Sequence, residues 1–516
     1  MDTQIMTSGA FNLVPSNLRV PGVYAEVDPS LAGLSSSVEP VLIMGQKLAS
    51  GTQPAGEVVF IPGDHGDAAS ELFGAGSQLH EMIVEFRRGN KTSTLYAVAA
   101  DDAGGSAKAS LTRTFSGTAT KAGVFVFYLG GGSAERLASV GVAVGDTAVA
   151  VATAAAAAIN AKANIPVSAA AAAGVLTITY DHGGLTGNDY RVEINRRGVF
   201  EGERLPEGIA IAEVDDGYMS GGLIDPDVTP LIAGIGDEVF DYICFPWTGD
   251  ATLDAMRDEG ARRWHPITAL WSLFFSARRG SPNELLSFSA QRNNPYLSVM
   301  ETFGASAPAY VRAARYVAVA SRALENHPAR PLQDLELVGE EAPAKALRMG
   351  FSDRNTLLYS GIATSKASPQ GTVLVERGVT TYQKNTYGQP DSAFLDINTP
   401  AQIRRINRQL GFLVYQKFIS RRVILVDDGT PIAEGIPSTS PRKIKATLVA
   451  HYDELMLQGL VENKDAFERL LIVSRDPQDP QRINIRYAPD LTNGLMVGAI
   501  QVGFSLQWDE SSLLAA

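Results

Sequence analysis

Apolar positions along the chain follow two rhythms, short unbroken runs and helical stripes, which replace each other several times. From Pro40 onward the run Val41–Gly45 predicts a buried strand followed by a turn. Asp67–Arg88 predicts a helix with Leu72, Phe73, Leu79, Met82, Ile83 and Phe86 on its buried side. Thr94–Ala100 predicts the next strand, and strand, helix, strand in that order implies an α/β unit. After a glycine-rich return at Gly217–Gly222 the rhythm resumes. It predicts a buried strand at Val239–Phe245, a helix at Leu253–Trp264, a strand at His265–Phe275 and a helix at Ala307–Leu324. The sequence HPARP, His327–Pro331, then breaks the pattern.

The stretch Leu374–Leu410 carries the strongest local signals. Val373–Val375 is a short apolar run, and Val379–Tyr382 are good strand residues. Asn385, Gly388, Pro390 and Asp391 are turn chemistry, and Phe394, Leu395 and Ile397 form a return. Thr399, Pro400 and Gln402 then mark a helix start: an N-cap oxygen, a proline suited to the first turn and a capping-box partner. Ile403, Ile406, Leu410 and Leu413 recur at three and four and predict its apolar face. Arg404, Arg405 and Arg408 fall off that face, as a cationic side for a partner or as an ordinary solvated face. Further helices are expected over 400–421 and near Asp465, with strands near Val423 and at Ile444–Tyr452.

At the C-terminal end Ile500, Val502, Phe504, Leu506 and Trp508 alternate with Gln501, Gly503, Ser505 and Gln507. Period two predicts a half-buried strand with one apolar face. At the other end Pro15, Asn17, Pro21 and Gly22 leave little room for a helix, and residues 1–25 predict an extended arm. Between Asp101 and about residue 199 the chain turns rich in Ala, Gly, Thr and Ser. There Val124–Leu129, Val175–Tyr180 and Arg191–Ile194 predict strands, around one alanine-rich helix opened by Asp146. The whole predicts an α+β or α/β multidomain chain. Its parts are an arm (1–25), a discontinuous α/β core (26–100 with 200–395), an inserted β-rich domain (101–199), a smaller mixed domain (396–496) and a terminal strand or arm (497–516).

Composition narrows the function classes. The 516 residues, 45% hydrophobic, suffice for about three domains with a substantial core. A net charge of −12 argues against nucleic-acid binding through a basic surface. Residues 396–516 balance their charges, so the rest of the chain carries the excess. The single cysteine, Cys244, lies in the apolar run VFDYICFPW and reads as a small buried residue. The first residues lack a signal-peptide pattern, and polar residues interrupt the alanine run, so the chain reads as soluble and intracellular where it is made.

No P-loop, nucleophile elbow or His-Glu-x-x-His helix is present. Asp64-His65-Gly66-Asp67 and Asp181-His182-Gly183-Gly184 offer ligands or an acid–base pair, but turns explain both glycine-rich sites equally well. His65, His80, His182, His265, His327 and His451 show no metal-ligand spacing, so no catalysis, metal or cofactor is expected.

A strand close to one terminus and an extended arm at the other suit strand exchange between copies. Donating a strand satisfies an open sheet edge and gives specificity through alternate side-chain pockets. When donor and acceptor surfaces differ, repetition builds a ring or an open helix. The alternative, in which both strands pair within their own subunit, stays open.

Three segments carry a family resemblance: Arg377–Pro400 (RGVTTYQKNTYGQPDSAFLDINTP), Val20–Val27 (VPGVYAEV) and Gly361–Thr364 (GIAT). In order and spacing they resemble the tail sheath proteins of contractile-tailed bacteriophages, in the Mu-like branch. The resemblance implies an inserted domain that projects outward and a C-terminal domain that faces the tail tube. It also implies exchange of arms at Val20, Val23, Tyr24 and Val27 and at Ile500, Val502, Phe504, Leu506 and Trp508. Arg404, Arg405 and Arg408 become candidates for tube contact. The implied partners are further copies in a helical stack of rings, the tail tube protein, and baseplate and tail terminator proteins, with no direct nucleic acid and no membrane insertion. The implied location is the virion, with assembly in the host cytoplasm. The alternatives are the sheath of another contractile injection device and a receptor- or polysaccharide-binding tail module.

Overall fold

The computed structural model describes residues 39–504 except 64–65, 132, 134–135 and 213–215. The first α/β unit comprises strands Val41–Gln46 (β1), Val58–Ile61 (β2) and Leu95–Ala100 (β3), with helices Asp67–Phe73 (α1) and Gln78–Gly89 (α2). The helix expected across 67–88 is thus two. Gly74 and Gly76 take left-handed backbone (φ 89 and 78°), and the Ser77 hydroxyl accepts from His80 N–H to start α2 afresh.

The β-rich segment follows with Lys108–Gly117 (β4), Gly123–Leu129 (β5), Leu137–Val142 (β6), helix Ala148–Asn160 (α3), Val167–Ala172 (β7), Val175–Gly183 (β8), Val192–Ile194 (β9) and Ile209–Ala212 (β10). They form two sheets, in the orders β10-β4-β8-β7 and β6-β5-β9. The segment therefore reaches past the boundary expected at 199, because β10 pairs antiparallel with β4. Thr147, not Asp146, caps α3; the Asp146 carboxylate instead accepts from Ala143 N–H.

The α/β body resumes with Thr229–Ile235 (α4), Tyr242–Cys244 (β11), Asp250–Arg263 (α5), Leu273–Arg278 (β12), Pro282–Ser289 (α6), Leu297–Glu301 (β13) and Ala309–Asn326 (α7). The strand expected from His265 begins only at Leu273, since Ala269 and Trp271 take left-handed backbone in the preceding turn (φ 49° each). The six-stranded sheet runs β13-β12-β11-β1-β3-β2, parallel except for the edge strand β2. Every residue of β1 is buried, as a strand covered on both faces requires. Val41 and Ile43 meet Leu79, Met82, Val311 and Tyr316 of α2 and α7 on one side. Leu42 and Met44 meet Leu231, Leu253, Met256 and Leu285 of α4–α6 on the other. Cys244 is buried within β11, as the apolar run around it predicts.

A three-stranded sheet follows, built from Leu335–Glu341 (β14), Thr364–Ala367 (β15) and Thr372–Arg377 (β16), with helix Phe351–Tyr359 (α8). The excursion after it forms no regular strands. Two isolated bridges, Val379 with Asp396 and Lys384 with Pro390, hold it, together with a hydrogen bond from the Tyr382 hydroxyl to Asp391 (2.6 Å).

The C-terminal part comprises Asn398–Val414 (α9), Ile424–Leu425 (β17), Ser438–Thr439 (β18), Pro441–Leu457 (α10), Val461–Glu462 (β19), Lys464–Leu470 (α11), Ile472–Arg475 (β20), Ile483–Arg486 (β21) and Asp490–Leu491 (β22). Helix α9 starts without the expected Thr399 cap: Thr399 lies inside it, and the Asn398 amide instead donates to the Pro328 and Arg330 carbonyls (both 2.7 Å). The strand expected at Ile444–Tyr452 is the middle of α10. Its buried residues Ile444, Leu448, Tyr452 and Leu455 recur at helical spacing, and Ser440 and Pro441 open the helix.

Candidate assembly interface

The C-terminal part has its own apolar core, in which Ile406 of α9 meets Ile444, Leu448, Tyr452 and Leu455 of α10 and Phe467 of α11. The Tyr452 and Phe467 rings stack at 3.8 Å and 6°, and Tyr487 packs edge-on against Phe467 at 4.8 Å. Around this core, among the described residues, the strands form two-stranded pieces: β17 with β18, β19 with β22, and β20 with β21. Two-stranded ribbons leave open edges and are marginal alone in water. The Tyr487 hydroxyl is buried with no hydrogen-bond partner among the described residues. Leu457, Leu470, Ile472 and Leu495 are exposed on the same part of the chain.

The expected strand at Ile500–Trp508 is not formed within the chain as far as it is described. Residues 500–504 join no ladder, and Ile500, Val502 and Phe504 are 80–87% exposed. Leu506 and Trp508 lie outside the described residues, as do Val20, Val23, Tyr24, Val27, Asp64 and His65.

The arginines of α9 require a correction. Arg404 is 1% exposed and does not reach a surface. It donates to the Asp241 carbonyl and the Tyr242 hydroxyl (both 2.8 Å), with its Nε 3.3 Å from the Asp241 carboxylate. Arg408 reaches the same carboxylate at 2.5 Å, and Arg405 donates to the Leu324 and Glu325 carbonyls at the end of α7 (3.1 and 2.6 Å). Position off the apolar stripe says only that a residue leaves one core. Here the off-stripe side faces the α/β body. Exposed cations of this part include Lys417, within a π-helical turn at Tyr415–Ile419, and Arg421, Arg422, Arg442 and Lys443 after it, none of these five with a carboxylate within 4 Å among the described residues. No helical stripe marked them in sequence; charge density over 417–443 was the available signal.

A second charged system, also silent in sequence, joins the β-rich segment to the body. Arg136 lies between Glu81 and Glu85 of α2, with the Glu85 contact at 3.5 Å. Arg315 bridges Glu85 (2.7 Å) and Glu340 (2.6 Å), Arg312 bridges Glu340 (3.0 Å) and Glu301 (3.6 Å), and the Tyr310 hydroxyl donates to Glu81 (2.5 Å). Burial pushes the Glu81 carboxyl above its ordinary range despite Arg136. Burial also pushes Glu85 upward, but Arg315, Arg136 and Arg88 outweigh it and hold the carboxyl below that range.

His182 belongs to the same junction. Its Nε2 accepts from Gln78 N–H (3.0 Å), and its Nδ1 lies 3.3 Å from Asp102, which also accepts from Gly183 N–H and the Gln46 amide (both 2.8 Å). The residue is 1% exposed and serves as a strut between β8 and the body. Among the described residues no helix is long and apolar enough to cross a membrane.

Residues 221–381 match the family described as phage tail sheath protein central domain. Over 499 residues the chain is 35% identical to the Mu-like prophage FluMu tail sheath protein of Haemophilus influenzae, covering 96% of this chain and 99% of that protein. Similar solved structures include the sheath tail protein of Desulfitobacterium hafniense (14% identity, TM-score 0.46, 91% of this chain and 100% of that one). The contracted helical sheath of the anti-feeding prophage is another (11% identity, TM-score 0.47, 95% and 100%).

Proposed function

The chain belongs to the family of phage tail sheath proteins, and from that premise we propose that its copies polymerise by exchanging terminal strands into a helical sheath around a tail tube. It is a structural protein of a contractile phage tail. The observation that carries the exchange is the C-terminal part: among the described residues its strands form two-stranded pieces, and the alternating apolar segment Ile500–Phe504 that follows them in the chain is exposed and joins no ladder. Strands supplied by neighbouring copies, from the segment around Val20–Val27 and from Ile500–Trp508, complete those sheets. Main-chain hydrogen bonds then hold the lattice connected while the globular faces exchange contacts during contraction.

In this reading the C-terminal part faces the tail tube protein, and Lys417, Arg421, Arg422, Arg442 and Lys443, in place of the body-facing Arg404, Arg405 and Arg408, supply the cationic contact. The β-rich segment projects outward. Baseplate and terminator proteins close the two ends of the polymer, which is assembled in the host cytoplasm and becomes part of the virion. Contraction drives the tube through the host envelope.

Removing residues 1–25 or 497–516 is expected to abolish ordered polymer and leave a folded monomer, because in this reading those segments pair with a neighbour's sheet. Negative-stain electron microscopy beside circular dichroism reads both halves of that statement. Regular tubes from either truncated protein would refute the exchange.

A further inference from the structure

The three arginines of α9 meet the body at separated points. Arg404 and Arg408, one turn apart, close on the Asp241 carboxylate next to β11, and Asp241 is itself 0% exposed. Arg405 holds the carbonyl end of α7, and Asn398 holds the loop that follows α7. Arg404 also lies over the Tyr242 ring, 4.6 Å from its centre. Asp241 is fixed in turn by its own backbone, accepting from Leu273 N–H (2.8 Å) and donating to the Pro40 carbonyl (2.9 Å).

These contacts occupy a particular place. Ile397 and Ala401 belong to the core of the body, whereas Ile406 belongs to the core of the C-terminal part. Gln402, Arg404 and Arg405 lie between, and Arg408 follows one turn after Arg404, so α9 crosses a polar seam separating two apolar cores. The seam continues at Gln409 with Gln458 (2.9 Å) and at His327 with the Gln458 carbonyl (2.7 Å). Apolar surfaces are non-directional and tolerate sliding. Planar guanidinium forks on one carboxylate, on carbonyls and on a ring accept few orientations.

We propose that Asp241, with Arg404 and Arg408, is a positioning cluster that sets the angle between the α/β body and the C-terminal part. That angle fixes where a donated strand reaches its neighbour and thereby the regularity of the polymer, a consequence that rests on the sheath reading. Buried ionic groups give geometric uniqueness more readily than stability, and an apolar replacement of similar volume keeps the fold while releasing the angle.

The test uses the full chain with cysteines placed at Asn355 and Leu457, both exposed, for spin labelling; Cys244 is buried and takes no label. Pulsed EPR on dilute monomer is expected to give one narrow distance in the parent. In D241L/R404M/R408M, and in the charge-preserving R404K/R408K, the distribution is expected to widen at least twofold. Electron microscopy of the same variants without labels is expected to show about a tenfold loss of regular tubes with melting curves little changed. Parent-like distances in R404K/R408K, which keeps the charges and so the fold, overturn the proposal even where the apolar triple variant fails to fold. Regular tubes of parental repeat from a folded triple variant also overturn it. Absence of tubes from the parent counts against the sheath reading instead, and the distance measurement still decides the angle.

Discussion

Replacing Arg136 by methionine isolates what holds the β-rich segment on the body. Its guanidinium is 5% exposed and neutralises two carboxylates. After its loss Glu85 keeps Arg315 at 2.7 Å and Arg88 at 3.4 Å, whereas the Glu81 carboxylate retains, among the described residues, the Tyr310 hydroxyl. One uncompensated buried carboxylate remains, and such a loss costs about 3–5 kcal/mol. Burial already pushes Glu81 upward, so the group escapes part of the penalty by protonating. The expected cost at pH 7 is therefore the lower figure, about 3 kcal/mol, or roughly a hundredfold in the opening equilibrium of the segment.

The pH dependence has a definite sign. A carboxyl raised in the folded state favours folding at low pH, and that advantage disappears as pH rises from the unfolded value through the folded one. The deficit of R136M relative to the parent is thus smaller at acid pH, where Glu81 is protonated, and grows as pH rises toward neutrality. Hydrogen exchange over Gly123–Val142 reads the opening directly. The double variant E81Q/R136M, which removes both charges, is expected to recover most of the loss. A deficit below about 1 kcal/mol at pH 7, or a double variant as impaired as the single, would refute the assignment of this ion pair as the fastening.

Two further outcomes follow from other parts of the chain. Phe467→Ala removes the ring stacked on Tyr452 and is expected to cost about 3–5 kcal/mol, visible as early melting of the C-terminal part while exchange protection in β1 and β3 persists. Charge reversal at Lys417 and Arg421 together is expected to weaken co-assembly with tube protein severalfold at low ionic strength and little at high salt, in a sedimentation assay; salt-independent loss would point to misfolding instead.

Much of the body was legible in the sequence because its signals are local. A strand covered on both faces reads as an unbroken apolar run, as Val41–Gly45 does, and α7 shows its stripe plainly. The failures have physical causes. Ile444–Tyr452 is β-branched and apolar enough to suggest a strand, yet a helix of 17 residues places those side chains at three and four. Thr399 has cap chemistry, but Asn398 binds carbonyls some seventy residues away in sequence, and that contact sets the start of α9. The destination of the α9 arginines was illegible for the same reason. The partner of Arg404 and Arg408, Asp241, is 163 residues away from Arg404 and sits next to a buried strand. Periodicity tells which side of a helix leaves its own core, and it is blind to a second body on the other side.

That blindness matters most where the chain depends on other copies. A terminal segment alternating as cleanly as Ile500–Trp508 predicts burial of one face, yet Ile500, Val502 and Phe504 are exposed in the single subunit. The pattern and the exposure agree once the strand is written for a neighbour's sheet. An edge left open in the monomer is an aggregation hazard, tolerable when the partner edge occurs at high local concentration and in one orientation. The ionic seam at Asp241 meets the second requirement. On the proposal above, its ion pairs cost desolvation that an apolar contact would avoid and in return hold the open edges at a fixed angle to the body. On this argument the polar seam and the unfinished sheets are two parts of one device: the sheets supply the bonds between copies and the seam supplies their direction.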